Sequence, residues 1–159
     1  VTNPFPFVAG ATLTAAELNQ IGESETDWTP TFSSGVTVGN GTLSGTYQRV
    51  NDFVVVQGQF ILGSTSAITG DVRVDDPVTA SDTYEHAVSI TCQFVNVSAV
   101  QFVIGAAKRV FGGGILLQYA KQDTTTPAGN SLAALSATAP FTWAVSDRIV
   151  WTGVYRVGS

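Results

Sequence analysis

Charge is the scarcest commodity in this chain. Asp, Glu, Lys and Arg make up 12% of its 159 residues, about half of the roughly 25% usual for soluble domains. The seven Lys and Arg are scattered, and only Lys108 and Arg109 are adjacent. Nucleic-acid binders concentrate positive charge because phosphate neutralisation supplies most of their affinity, so that class is excluded. Cysteine occurs once, at Cys92, which rules out an intrachain disulfide. Histidine also occurs once, at His86. One His and one Cys cannot supply the three or four ligands of a zinc site. No stretch reaches the ~18–20 consecutive apolar residues of a membrane-spanning helix. The first residues lack the basic and apolar regions of a secretory signal.

What remains is apolar and glycine-rich: 44% hydrophobic residues and 16 glycines. Such a composition is not disordered, since disorder needs low hydrophobicity and high net charge. The length suits one domain with a well-formed core. A lone globule of this size needs more ionised surface, so the deficit implies that other protein chains cover part of it.

Residues 1–26 differ from the rest. Phe5-Pro6-Phe7 is extended by proline geometry. Residues 13–22 read as a short helix, with Thr14 as N-cap, Glu17 closing a capping box and Gly22 as the stop. Leu18 and Ile21 share one face of it. Two turns are unstable alone in water, so this arm needs a surface to dock on, either its own domain or a neighbouring protein.

From Trp28 the apolar period becomes two, and residues 27–159 read as one β domain. Val36-Thr37-Val38 leads into a tight Gly39-Asn40-Gly41 turn. Strands are expected at 42–50 and 53–62, joined as a hairpin across Asn51-Asp52, and at 68–74, 88–95, 100–104 and 115–120. Two more are expected from Phe141 onward, separated by a turn at Asp147-Arg148. Even positions in that region, Val150 and Val154, are apolar beside the odd apolar row, as in a strand buried on both faces. Short strands with Gly-rich turns at regular spacing indicate an all-β sandwich or jelly roll.

Chemistry is hard to find. No Gly-x-Ser-x-Gly elbow accompanies His86, so no Ser-His-Asp triad is expected. Cys92 falls on the apolar side of an alternating strand and reads as a buried small hydrophobe. Asp71, Asp75, Asp76, Asp82 and Glu85 are the densest acids, but they lack EF-hand spacing and read as solvated loop residues. Gly112-Gly113-Gly114 is followed by Ile115-Leu116-Leu117 rather than Lys-Ser/Thr, so a bend replaces a phosphate cradle. Asn40-Gly41-Thr42 and Asn96-Val97-Ser98 match the glycosylation pattern by chance. Tyr84 and Tyr119, near loops, are the aromatics best placed to stack on a glycan or receptor. No catalytic residue, cofactor or metal is expected.

The string from Phe7 to Asn19, with its Gly10 and Leu13-Thr14-Ala15-Ala16-Glu17-Leu18-Asn19, resembles the N-terminal segment of many bacteriophage tail and virion-surface proteins. Trp28-Thr29-Pro30-Thr31 and Gly39-Asn40-Gly41-Thr42-Leu43-Ser44-Gly45-Thr46-Tyr47 resemble the start of the β domain in the same proteins. Phe60–Ser66, Pro77–Ala80 and Pro140–Ala144 with Asp147 and Gly153-Val154-Tyr155 are similar to its later units. Residues 81–139 carry no matching string. The resemblance implies a non-enzymatic virion-surface protein of the minor-tail or fibre type, a homotrimer with a jelly-roll-like head. Its residues 1–26 would dock on another virion protein through Phe5, Phe7, Leu13, Leu18 and Ile21. Capsid decoration proteins and head fibres of this length look similar. A host glycan or receptor is a further expected partner; nucleic acid and membrane insertion are not.

Overall fold

The computed structural model describes residues 25–50, 52–79, 88–109, 114–122 and 130–157, together with residue 12. The helix expected at 13–22 and the rest of the arm lie outside these residues. The described chain forms ten strands: β1 (Thr26–Trp28), β2 (Phe32–Thr37), β3 (Thr42–Val50), β4 (Phe53–Ile61), β5 (Ala67–Val74), β6 (Val88–Asn96), β7 (Gln101–Arg109), β8 (Ile115–Gln122), β9 (Asn130–Ala134) and β10 (Arg148–Arg156). They build one antiparallel sheet in the order β1-β3-β4-β10-β6-β7-β8-β5-β2, with β9 also paired to β8. The fold is all-β, as the alternating pattern requires, and the sheet curls so that one face closes on itself.

The curl comes from a single long ribbon folded over. β3 and β4 pair without interruption from Thr42↔Ile61 to Val50↔Phe53. Beyond Thr42 and Ile61 the same two chain segments continue as β2 and β5, which pair again from Thr37↔Ala67. Between the two paired stretches both strands turn a corner. One strand turns at Gly39-Asn40, where the Gly41 N–H donates to the Val38 carbonyl at 2.9 Å. The expected tight turn is therefore present, but it folds the chain from one layer to the other instead of joining paired neighbours. The other strand turns at 62–66, and the side chain of Asn40 stitches the two corners together. Its Oδ1 accepts from the Thr65 N–H and hydroxyl, each at 2.9 Å, and its Nδ2 donates to Ser64 Oγ at 3.0 Å. The Ser66 hydroxyl donates to the Val38 carbonyl and accepts from the Gly63 N–H. Asn and Ser serve here because their side chains replace backbone partners lost at a bend.

Folding the ribbon lays Phe32 of β2 edge-on against Phe60 of β4 and Trp151 of β10, with ring centroids 5.3 and 6.3 Å apart. The enclosed core takes one face of every long strand: Val54, Val56 and Phe60; Ile68, Val72 and Val74; Ile90, Cys92 and Phe94; Ile115 and Leu117; Ile149, Trp151 and Tyr155. β10 lies at its centre, paired along its length with both β4 and β6. Gly58 makes room for the Trp151 indole, since a Cβ there would sit 2.3 Å from Cζ2. The Tyr155 hydroxyl donates to the Val78 carbonyl at 2.9 Å, which ties the loop after β5 to the central strand.

Some expectations need correction. Residues 141–147 are irregular, and only the second strand expected there forms. Phe141 and Trp143 both turn inward, 4.6 Å apart, and Trp143 meets Phe94 edge-on at 6.2 Å. Two aromatics packed together in this way leave no alternation, and Val145 points to solvent. β7 runs to Arg109 rather than 104, and β8 runs to Gln122 rather than 120. β9, with the sequence Asn-Ser-Leu-Ala-Ala, carries no clear apolar alternation and forms a strand nonetheless. Gly114 stands at φ +87°, in the left-handed region, which agrees with a bend before β8.

Candidate interaction surface

The outward residues of β3, β4, β10, β6 and β7 include no Asp or Glu, although the chain carries a net charge of −5. Register sorts this face into bands. At one end, Phe102, Val95, Arg148 and Ile61 lie side by side, followed by Ile104, Gln93, Val150 and Gln59. A middle band holds Ala106, Thr91, Thr152, Gln57 and Thr46. At the far end come Val154 and Val55, then Arg156, Phe53 and Val50. Two apolar patches thus flank an uncharged polar band.

The first patch is the more exposed, with Phe102 at 61% and Ile104 at 65%. Its sequence signal is Phe102-Val103-Ile104, where three consecutive apolar residues on a strand must place some on each face. The even-numbered Val150 and Val154 follow the same logic: both belong to the outer face, half-buried and exposed respectively.

Next to this patch, the β6–β7 turn holds Val100 at 77% exposure with φ +51°. A β-branched residue in the left-handed region is an outlier that costs about 1–2 kcal/mol. The turn is held in this shape from beneath. Asn96 Oδ1 accepts from Ser98 Oγ at 2.9 Å and from the Ala99 N–H at 3.0 Å. Asp147, fully buried, accepts from the Val97 N–H at 2.9 Å through Oδ1 and from the Ala144 N–H at 2.7 Å through Oδ2. Its own carbonyl accepts from the Leu62 N–H at 2.9 Å. One carboxylate therefore joins the β6–β7 turn to the start of β10, and its backbone adds the end of β4. Both glycosylation-type asparagines, Asn40 and Asn96, are occupied in turn geometry.

On the opposite flank, Glu25 precedes the short edge strand β1. Its carboxylate accepts from Thr46 Oγ1 at 3.1 Å and Gln57 Nε2 at 3.4 Å, which places it over the polar band. Arg156 pairs with Asp52 at 3.3 Å beside the second patch. The edge strand β2 is irregular, with register shifts in its pairing to β5 between Phe32 and Val36, and such bulges bend an edge away from use as a template for strand addition.

Of the residues singled out in the sequence, Tyr119 lies within β8, paired with Gly105 and Ala133, and is half-buried against the core. Phe5, Phe7, Leu13, Leu18, Ile21, Tyr84 and His86 lie outside the described residues, as do Asp82 and Glu85. Asp75 accepts from the Thr31 hydroxyl at 2.6 Å, and Asp71 is exposed on β5. Among the described residues, no three His, Cys, Asp or Glu side chains come together as a metal-ligand group. Cys92 is buried, and its Sγ donates to the Gln118 carbonyl at 3.3 Å. Burial pushes its thiol up to about 12, the opposite of what a nucleophile needs. No family model matches this chain, and no curated protein or solved structure shows a significant match to it.

Proposed function

We propose that this chain is a non-enzymatic structural protein of a phage particle. In this reading it is a tail-associated homotrimer that displays jelly-roll-like β heads, with residues 1–26 as the docking arm. The observation that carries the reading is the outer face, whose strand residues include no Asp or Glu, with its exposed Phe102, Ile104 and Val100. Contiguous apolar surface of this kind marks a protein contact. The face formed by β4, β10, β6 and β7 measures roughly 19 by 30 Å, from a strand spacing of about 4.8 Å and a rise of about 3.3 Å per residue. That footprint is of the same order as the ~800 Å² each partner gives to a stable interface. A short or bulged strand at each end of the sheet argues for association through faces rather than by strand addition. The ribbon folded over at its corners supports the jelly-roll comparison. The resemblance of the N-terminal strings to phage proteins supplies the virion context.

The test is the native mass by light scattering, combined with Ile104→Lys. A trimer that becomes a folded monomer on substitution is the expected result. A monomeric parent at micromolar concentration would overturn the assembly reading. Antibody labelling of intact particles reads placement: signal on the tail is expected, and signal spread over the capsid would replace the tail by a decoration role. A glycan-reading role for Tyr119 is less favoured, since its side chain is half-buried against the core.

A further inference from the structure

We infer that the second apolar patch, Val50, Phe53, Val55 and Val154, is the seat of the root of this chain's own arm, with Leu18 and Ile21 as the residues that cover it. Phe53 is 50% exposed and Val55 44%, and both lie next to Val154 and Val50 by register. The direction of β1 points the chain at them. Trp28 pairs with Gly45 and Thr26 with Tyr47, so tracing the chain toward its N-terminus leads along β3 toward Val50. Glu25 is already bound on this face through Thr46 and Gln57.

The reach is sufficient. From the line of β1, which Glu25 precedes, across β3 and β4 to β10 is three strand spacings, about 14 Å. Four residues of extended chain from Glu25 to Ile21 span about 13–14 Å, enough to bring Ile21 alongside Val154. An amphipathic pair such as Leu18 and Ile21 gains about 1.5–3 kcal/mol per side chain on full burial, which a two-turn helix cannot obtain alone. Seating the root fixes the direction in which the arm leaves the head and leaves Phe5, Phe7 and Leu13 for a partner. The inference does not depend on the virion reading.

The test is the double variant Ile21→Cys/Val154→Cys in a Cys92→Ala background, oxidised at low protein concentration. Most chains are expected to form an intrachain disulfide, seen as faster migration at monomer mass on a non-reducing gel. The control Ile21→Cys/Phe102→Cys is expected to form none. A disulfide at dimer mass would overturn the inference, because the seat would then take the arm of another copy. Absence of any bond would overturn it too. Leu18→Cys/Phe53→Cys gives an independent pair if the first fails to fold. The native mass and particle placement test the virion reading separately, so the two can fail apart.

Discussion

Replacing Asp147 by Ala removes the buried acceptor of two part-buried hydrogen bonds, those from the Val97 and Ala144 N–H groups. A hydrogen bond to a charged group contributes about 1.5–3 kcal/mol, and an N–H left buried without a partner costs about 1–3 kcal/mol. These describe the same loss from two sides, so they are not added; two such bonds give about 3–6 kcal/mol. A domain of this size has roughly 5–15 kcal/mol in total. At about 2–4 °C per kcal/mol, the melting temperature should fall by roughly 6–24 °C. Asp147→Asn keeps one carbonyl oxygen but turns an amide N–H₂ toward the other donor, so it should lie between the parent and Asp147→Ala. Thermal melts followed by near-ultraviolet circular dichroism give the order. A change below 2 °C in Asp147→Ala would refute the reasoning, since it would mean that water or a shifted turn satisfies both donors at no cost.

Val100→Gly should raise stability by about 0.5–1 kcal/mol, because relief of the left-handed strain exceeds the added freedom of the unfolded chain. Denaturant unfolding measures it, and a loss of more than 1 kcal/mol would show the valine to be packed rather than strained. The Cys92 thiol holds its proton in the folded state up to about pH 12, while an exposed thiol loses it near pH 8.5. Its contribution to stability is therefore complete below the unfolded pKa and declines as pH rises from there through the folded value. The stability difference between the parent and Cys92→Ala should shrink by about 2 kcal/mol between pH 8.5 and pH 10.5, at ~1.4 kcal/mol per pH unit. A difference that stays flat over this range would refute it.

Strand content was legible because a half-buried strand writes its burial into alternate residues. Val54, Val56, Gly58 and Phe60 against Phe53, Val55, Gln57 and Gln59 is such a record, and β3 runs over the residues expected. Pairing was less legible. The Gly39-Asn40-Gly41 turn has the residues of a hairpin turn, but a corner uses the same positive-φ tolerance, and only Thr65 and Ser66, far along the chain, distinguish the two. Residues 141–147 misled for a related reason: alternating aromatics also suit a loop whose rings stack on one another. The outer face was half legible. Val150 and Val154 mark it through apolar residues on both sides of one strand, and the consecutive Phe102, Val103 and Ile104 carry the same signal on β7. Asp147 could not be assigned from sequence as the junction of the β6–β7 turn with β10, since its partners are brought to it by three separate stretches of chain.

The central position of β10 has a consequence for synthesis. Both of its neighbours, β4 and β6, precede it in the chain. Until residues 148–156 leave the ribosome, each neighbour has an unpaired inner edge, and no ladder hydrogen bonds link β4 to β6. Exposed strand edges recruit other chains, and incomplete β domains aggregate through them. The growing polypeptide is thus most vulnerable just before β10 appears, when it has two sticky edges and the gap between them is one strand wide. That gap selects strongly for the strand that closes it, and a synthetic peptide of residues 148–156 supplied in trans to a chain truncated at 147 is the natural way to observe the closure.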